Sequence, residues 1–312
     1  MDRLLVCGNL NMDTILTVDY LPEEGQSTPV RAMRREFGGC GGNISLAAAK
    51  LGVSVIISSV VGKDFDEGYR ERLLNSGIDL GHLIVDDELP SPFCLVLSAP
   101  GGKQAYAFME GAMGVQMDLK LHLPQKSRIG HCHIATSHPD FTVRTARAMK
   151  ERGIPTTFDP GQEIYFRWKG QEVREVLLNC QRFMGNLGEW EYLLDILEIP
   201  WEERSIADIV YPWSERALEL VDEAIITAGS KGSLLISRGS VVHRPALEVD
   251  EIVDATGAGD AFRGGFYAAL LRGIPPEDAL IYGNAMGALS LTSKGPQGYE
   301  ASWERIVEML EK

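Results

Sequence analysis

Strand-like apolar runs alternate with amphipathic helical stripes along most of this 312-residue chain, and that rhythm constrains the fold more than any other feature. Strands are expected at 3–7, 54–60, 130–135, 155–158, 182–185 and 223–228. Helices are expected near 43–51, 66–76, 140–152, 172–179, 187–196, 258–272, 277–291 and 302–311. Successive strands joined through helices run parallel, so the pattern implies an α/β fold whose parallel sheet is covered by helices on both faces. Ligands of such sheets gather beyond the carboxyl ends of the strands, where Asn11, Asp159, Asn186 and Asp254 fall. Two segments break the rhythm. Residues 14–36 carry Thr14-Ile-Leu-Thr-Val18 and a turn around Pro22-Glu-Glu-Gly25, and residues 92–109 read as a hairpin through Pro100-Gly-Gly102. Together they suggest a small β lid on a single domain spanning 1–312.

The stretch Asp254-Ala-Thr-Gly-Ala-Gly-Asp260 runs straight into a helical stripe formed by residues 258, 261, 262, 265, 266, 269 and 270. Gly257 and Gly259 therefore open the helix, and Asp260 lies in its first turn. A helix N-terminus offers unpaired N–H groups and partial positive charge, and glycines let an anion approach closely. A carboxylate beside such a site can take a proton from a hydroxyl attacking a bound phosphate. The plainer alternative, an acidic residue that merely suits the helix dipole, stands equally well on this motif alone. No Gly-x4-Gly-Lys-Ser/Thr run, no Gly-x-Gly-x-x-Gly and no protein-kinase signature is present. A second cluster, Gly38-Gly-Cys-Gly-Gly-Asn43, opens the helix expected over 43–51. So little side chain there implies close approach to the backbone and suits a polyol-binding floor better than a flexible loop.

Taken together, these motifs resemble the phosphofructokinase-B family of carbohydrate and nucleoside kinases over nearly the whole chain. Val6-Cys-Gly-Asn-Leu-Asn11-Met-Asp13 stands where the family grips its acceptor, and the cluster at 38–43 and Asp159-Pro-Gly161 follow in family order. Asn186-Leu-Gly-Glu189 is similar to the family's Asn-x-x-Glu motif, and Thr227-Ala-Gly-Ser-Lys-Gly232 to its nucleotide-contacting turn. The resemblance implies a ribokinase-like three-layer α/β/α fold with a small β lid. It implies Asp260 as catalytic base, with Gly257, Ala258 and Gly259 forming an anion hole. Asn11, Asp13, Gly39 and Asn43 would hold the acceptor. Asn186, Thr227, Gly229, Gly232 and Asn284 would contact ATP, and Glu189 would position Mg2+ through water. Asp254 and Thr256, with carbonyls between Ser290 and Gly298, would hold a monovalent cation of the K+ type, although Pro296 and Gly298 alter that loop.

Asp13 and Asn43 suit vicinal hydroxyls of a ribose-like ring, because a carboxylate accepts two O–H bonds and an amide both donates and accepts. Glu189-Trp190-Glu191, Asp260-Ala-Phe-Arg263 and Met286-Gly-Ala288 look more like the prokaryotic adenosine-kinase branch than ribokinase itself. The reading is thus an ATP-dependent kinase acting on a primary hydroxyl of a nucleoside such as adenosine, whose base rests on Phe108 with Phe93 and Met109 nearby. The alternative is a sugar kinase acting on free ribose, fructose, ketodeoxygluconate or a sugar phosphate. A third class, a regulator that binds without turnover, fits poorly with an intact acidic residue beside a complete glycine loop.

A net charge of −14 argues against nucleic-acid or anionic-membrane partners. No run of 18 apolar residues suggests a membrane span, and five scattered cysteines suit free thiols in a reducing compartment, so the cytoplasm is the default. His131 and His133 share a strand face but have no spaced third partner, so hydrogen-bonded strand histidines are expected rather than a metal site. The aromatic segment Tyr165-Phe-Arg-Trp168 is expected to pack on the sheet, and Trp190, Leu193, Leu194 and Leu197 to form a core stripe. The lid hairpin is a candidate contact for a homodimer.

Overall fold

The computed structural model of the chain describes residues 2–115, 123–124, 128–200 and 216–311. In chain order the strands are β1 (Arg3–Cys7), β2 (Asn11–Val18), β3 (Val30–Gly38), β4 (Val55–Gly62), β5 (Asp79–Asp86), β6 (Phe93–Ala99), β7 (Lys103–Met109), β8 (Ile129–Ile134), β9 (Thr156–Phe158), β10 (Arg182–Asn186), β11 (Glu223–Thr227), β12 (Ser233–Ser237) and β13 (Ser240–Arg244). The described helices are α1 (Cys40–Lys50), α2 (Glu67–Asn75), α3 (Pro139–Glu151), α4 (Gly170–Leu177), α5 (Leu187–Ile196), α6 (Ala258–Leu270), α7 (Pro276–Ser290) and α8 (Trp303–Leu310).

The larger sheet has the order β13-β12-β11-β10-β9-β8-β1-β4-β5 and is parallel except at β12 and β13. Its central strands are continuous apolar runs because both faces are covered. In β1, Leu4 and Val6 enter a core with Ile44 of α1, Phe266 of α6 and Met286 of α7. Leu5 and Cys7 enter the opposite core with Val143 of α3, Val173 of α4 and Trp190 of α5. The alternation of a strand's side chains thus makes β1 the central layer between two helical layers. The chain builds outward from β1 through β4 and β5, then returns through β8 and proceeds the other way through β9 to β11. Strand order reverses between β1 and β8, which opens a crevice at their carboxyl ends.

The second sheet has the order β3-β2-β6-β7 and comes from the two segments that interrupt the strand–helix rhythm. It extends beyond the expected bounds, since β2 begins at Asn11 and β3 ends at Gly38. Helix α1 also begins three residues early, at Cys40, so most of the glycine cluster is helical rather than loop. The close approach expected at that cluster is made by the chain itself. A Cβ on Gly41 would lie 2.7 Å from the carbonyl carbon of Gly8. Strands β5, β12 and β13 were not expected. β5 is only partly buried and carries Gly81 and His82, which blunt its apolar pattern, and β12–β13 is a hairpin whose Gly239 adopts φ 73°. The core stripe of α5 is as expected, and Trp168 packs edge-on against Phe158 at 4.7 Å. Among the described residues no helix is long and apolar enough to cross a membrane.

Helices α1 and α6 lie against each other, and their N-termini reach the same crevice. The contact depends on Gly264, where a Cβ would lie 2.4 Å from Ala47 Cβ and 2.8 Å from its carbonyl carbon. Gly264→Val should therefore lower unfolding free energy by roughly 2–3 kcal/mol through overpacking. Urea denaturation checks this, and a loss below about 0.5 kcal/mol would contradict the packing.

Candidate active site

A cavity of about 710 Å3 occupies the crevice. Its floor comes from the chain leaving β1, with Asn9 and Asn11, and from Gly39 and Cys40 at the start of α1. The second sheet supplies Asp13, Cys94, Tyr106 and Phe108, with Glu110 just past β7, and the ends of β10 and β11 supply Asn186 and Thr227. Gly257, Gly259 and Asp260 close it at the start of α6. A neighbouring cavity of about 580 Å3 includes Thr227, Gly229, Gly232, Ala258, Gly259 and Asn284, with apolar walls from Leu247, Val249, Phe262 and Leu291. Thr227, Gly229 and Gly259 belong to both cavities. Gly257 caps α6 at φ 77°, and a Cβ there would lie 2.4 Å from Pro296 Cβ, so both backbone and space require glycine.

Asp260 lies in the first turn of α6. Burial pushes its carboxyl up, partly offset by the Arg263 charge and a 2.8 Å hydrogen bond from Asn43 Nδ2, and Asp159 adds a further upward push, to about 6. Asn43 is not on the cavity wall. It stands behind Asp260, 7% exposed, and its carbonyl accepts from Gln297 at 2.8 Å. Asp13 lies opposite Glu36 across β2 and β3. Burial first, then the Glu36 charge, raise its carboxyl to about 7 against a hydrogen bond from Asn11. Tyr69 and Cys40 are pushed up by burial as well.

Asn186 and Glu189 form a reciprocal capping box at the start of α5: Glu189 N–H donates to Asn186 Oδ1 at 2.9 Å and Asn186 N–H to Glu189 Oε2 at 2.8 Å. Burial raises the Glu189 carboxyl. Asn284 donates to the carbonyls of Arg244 and Pro245, which fixes the loop rimming the smaller cavity. Asp254 and Thr256 line neither cavity. The Asp254 carboxylate accepts from Thr256 N–H at 2.9 Å and from Gly295 N–H at 3.1 Å.

Several residues in the cavity wall were not singled out as site residues. Arg263 makes a two-pronged ion pair with Asp159, and its Nη1 donates to the Gly259 carbonyl at 2.9 Å. Despite burial, this cation holds the Asp159 carboxyl down at about 2. His133 backs the pair, 3.2 Å from Asp159 and 2.7 Å from the Tyr267 hydroxyl, while His131 meets Thr157. Both strand histidines have the hydrogen-bond partners expected of them, and no cluster of three metal-ligating side chains exists among the described residues. Arg167 joins Glu110, just past β7, to Glu163, a buried carboxyl that burial raises to about 7.

The aromatic expectations need correction. Phe166 does not pack on the sheet: it is 68% exposed and lines the larger cavity. Phe93 and Met109 pair on the other face of the second sheet and line a separate space of about 380 Å3. Cys94 and Phe108 pair on the cavity face, with Tyr106 two residues along. Because side chains alternate faces, Phe108 cannot share its cavity with Phe93 and Met109.

A profile described as pfkB family carbohydrate kinase matches residues 1–302. The chain is 28% identical to a nucleoside kinase from Methanocaldococcus jannaschii over 313 residues, covering 100% of this chain and 98% of that protein. The crystal structure of that archaeal member of the ribokinase family superposes with a TM-score of 0.85. A nucleoside kinase from Burkholderia thailandensis in complex with inosine superposes equally well, at 26% identity, with 99% of this chain and 97% of the other covered. An ATP-dependent ribose-1-phosphate kinase from Halopiger xanaduensis is 30% identical over 300 residues, covering 95% and 94%. The fold is ribokinase-like, as the motifs imply.

The raised carboxyl of Asp13 has a consequence for stability. A carboxyl whose folded value lies above its ordinary one stabilises the fold in acid, and that stability is lost as pH rises through about 7. Asp13→Asn removes the buried charge, so it should gain about 1–2 kcal/mol over the parent at pH 8, with the gain vanishing near pH 4. Denaturant titrations at the two pH values check this, and an equal gain at both would show that charge is not the cause.

Proposed function

The chain belongs to the pfkB family of carbohydrate kinases and is a phosphotransferase acting on a hydroxyl group, and we propose that its acceptor is a nucleoside, phosphorylated by ATP at its primary hydroxyl. The observation that carries this reading is the junction of the two cavities. Gly259 borders both, and Asp260 stands beside it on the wall of the larger one. The smaller, largely apolar cavity suits the adenine and ribose of ATP, with Thr227, Gly229, Gly232 and Asn284 as its contacts. The larger suits the acceptor, with Asn11, Asp13 and Gly39 at the sugar. Asn43 serves that floor from behind Asp260.

In this mechanism Asp260 accepts the proton of the attacking hydroxyl. A carboxyl near 6 is mostly ionised at neutral pH yet basic enough to hold a proton in the transition state. The amides of Gly257 and Gly259 meet charge on the transferred phosphoryl group, and that of Ala258, which donates to the Ala255 carbonyl at 3.3 Å, joins them by giving up that bond. Arg263 stays locked to Asp159 and carries Gly259 through its carbonyl, so it orders the anion hole from behind. Asn186 and Glu189 suit Mg2+ held through water, because a buried acidic side chain faces this crevice and closes the capping box through its Oε2. Magnesium, when bound, would neutralise the β- and γ-phosphates. Asp254 and Thr256 remain the candidates for a K+-type ion that would shape the loop. The second sheet acts as a lid.

Two aspects of the acceptor cavity favour a nucleoside over a phosphorylated sugar. Aromatic faces are available at Phe108 and Phe166, one on the second sheet and one on the body. Among the described lining residues Arg263 is the cation, and it is committed to Asp159, whereas Asp13, Glu110, Glu163 and Glu189 are acidic. A phosphate on the acceptor would find no uncommitted cation there, while carboxylates such as Glu110 can accept from the N–H groups of a base.

Asp260→Asn should bind ATP normally and lose turnover by roughly 10²–10⁴-fold, the usual worth of a general base. A coupled ADP-release assay reads this, and near-parental rates would remove Asp260 from the mechanism. Adenosine or inosine should be phosphorylated with a higher kcat/KM than ribose, fructose, ketodeoxygluconate or ribose 1-phosphate. Phe108→Ala or Phe166→Ala should shrink that preference by roughly ten- to a hundredfold while sparing ribose turnover. If a free or phosphorylated sugar leads the panel, the acceptor is a sugar.

A further inference from the structure

We propose that Gln297 and Tyr69 are positioning residues that set the proton-accepting oxygen of Asp260, acting through the amide of Asn43; this rests on the reading of Asp260 as the base. Neither residue touches the acceptor cavity, and both are buried, at 5% and 1% exposure.

The argument is one of hydrogen-bond polarity. The Gly38 carbonyl can only accept, so the Tyr69 hydroxyl 2.9 Å away must donate its single proton there. The Tyr69 oxygen must then receive an N–H from Gln297, 3.1 Å away, which directs the Gln297 amide nitrogen toward it. The second hydrogen on that nitrogen meets Asn43 at 2.8 Å, so Asn43 must present its oxygen to Gln297. Its nitrogen is thereby turned to Asp260 Oδ2 at 2.8 Å. Every link is dictated by a backbone carbonyl at the far end, so no amide in the chain is free to flip.

The consequence for the carboxylate is specific. Oδ2 is held as an acceptor, which favours the ionised form and leaves Oδ1 to take the proton. Other groups set the background. Arg263 on the same helix favours ionisation, and Asp159 opposes it. Asp13 on β2 and Glu189 on α5 are acidic neighbours whose charges couple to Asp260. Cys40 on α1, Tyr69 on α2 and Tyr299 beyond α7 also face it, but burial keeps all three protonated. Of these only Tyr69 is touched by the side chain of Gln297, whose N–H it accepts.

The backbone of Gln297 is anchored separately, its carbonyl accepting from Lys50 at 3.0 Å and Arg72 at 2.8 Å. Side-chain substitution should therefore leave the loop in place. Gln297→Glu, once ionised, replaces the donor with an acceptor, so Asn43 turns its nitrogen away from Asp260 and sets its oxygen against the carboxylate. Tyr69→Phe removes only the hydroxyl that fixes the polarity of Gln297, so it is the milder variant and serves alone if Gln297→Glu does not fold.

The experiment is the pH dependence of kcat and of KM for ATP, from pH 5 to 9 at saturating Mg2+ and adenosine (or the best acceptor of the panel), for the parent, both variants and Asp260→Asn. The acid limb of kcat should move up by ~0.5–1 pH unit in Gln297→Glu and by less in Tyr69→Phe, with activity recovering at high pH. KM for ATP should stay within about twofold. A merely structural role would scale the profile down without moving it, and unmoved midpoints in the folded variants overturn the relay. Near-normal turnover in Asp260→Asn would instead overturn the base reading itself.

Discussion

The packing of α1 on α6 is the constraint on which the site depends. Each helix begins with a glycine-capped turn, and both turns meet where strand order reverses between β1 and β8. The helices can approach closely enough only because Gly264 presents no side chain to Ala47. That approach sets Asn43, in the first turn of α1, within 2.8 Å of Asp260, in the first turn of α6. The two residues are 217 positions apart in sequence, so their contact is a property of helix packing and not of either motif.

The second constraint is electrostatic. The larger cavity gathers Asp13, Glu110, Asp159, Glu163, Glu189 and Asp260 around one crevice, and burial raises Asp13, Glu163, Glu189 and Asp260. Asp159 is instead held low by Arg263. A buried pair of this kind contributes little net stability, since its desolvation offsets much of its attraction, but breaking it leaves an uncompensated charge. Its value here is positional: the guanidinium that neutralises Asp159 also grips the Gly259 carbonyl and tempers Asp260. One cation thereby orders both the glycine loop and the acid next to it.

The fold was legible where physical periodicity was strong. Fully buried strands such as β4, and helices with clear stripes such as α5 and α6, were visible in sequence, as was the interruption that becomes the second sheet. Weakly buried edge strands were not, because β5 and β13 lack the burial that makes a strand pattern regular. The glycine-rich turns and Asp260 could be found because their chemistry is local. The partners of those residues could not. Nothing near Arg263 announces Asp159, 104 positions away, and nothing near Gln297 announces Asn43, 254 positions away. The face taken by Phe108, shared with Tyr106 and not with Met109, was available from alternation along β7. Phe166 carried no such signal, since its exposure depends on the short turn it follows.

The Asn186–Glu189 pair illustrates why a motif should not be read through its chemistry alone. The spacing that suits a magnesium-bound water cluster is also the spacing of a capping box, and here the reciprocal bonds are both made. Losing a cap costs about 1 kcal/mol of helix stability whatever the ligand. A substitution of Glu189 therefore removes an acidic group from the crevice and loosens the start of α5 together. The two effects separate by their dependence on the metal. Loss of a cap lowers stability equally with and without Mg2+, whereas loss of a magnesium contact raises the Mg2+ concentration needed for turnover. Glu189→Gln keeps an acceptor for the Asn186 N–H while removing the charge, so it should leave helix stability nearly intact and raise the Mg2+ requirement. An unchanged Mg2+ requirement would reduce this pair to a helix cap.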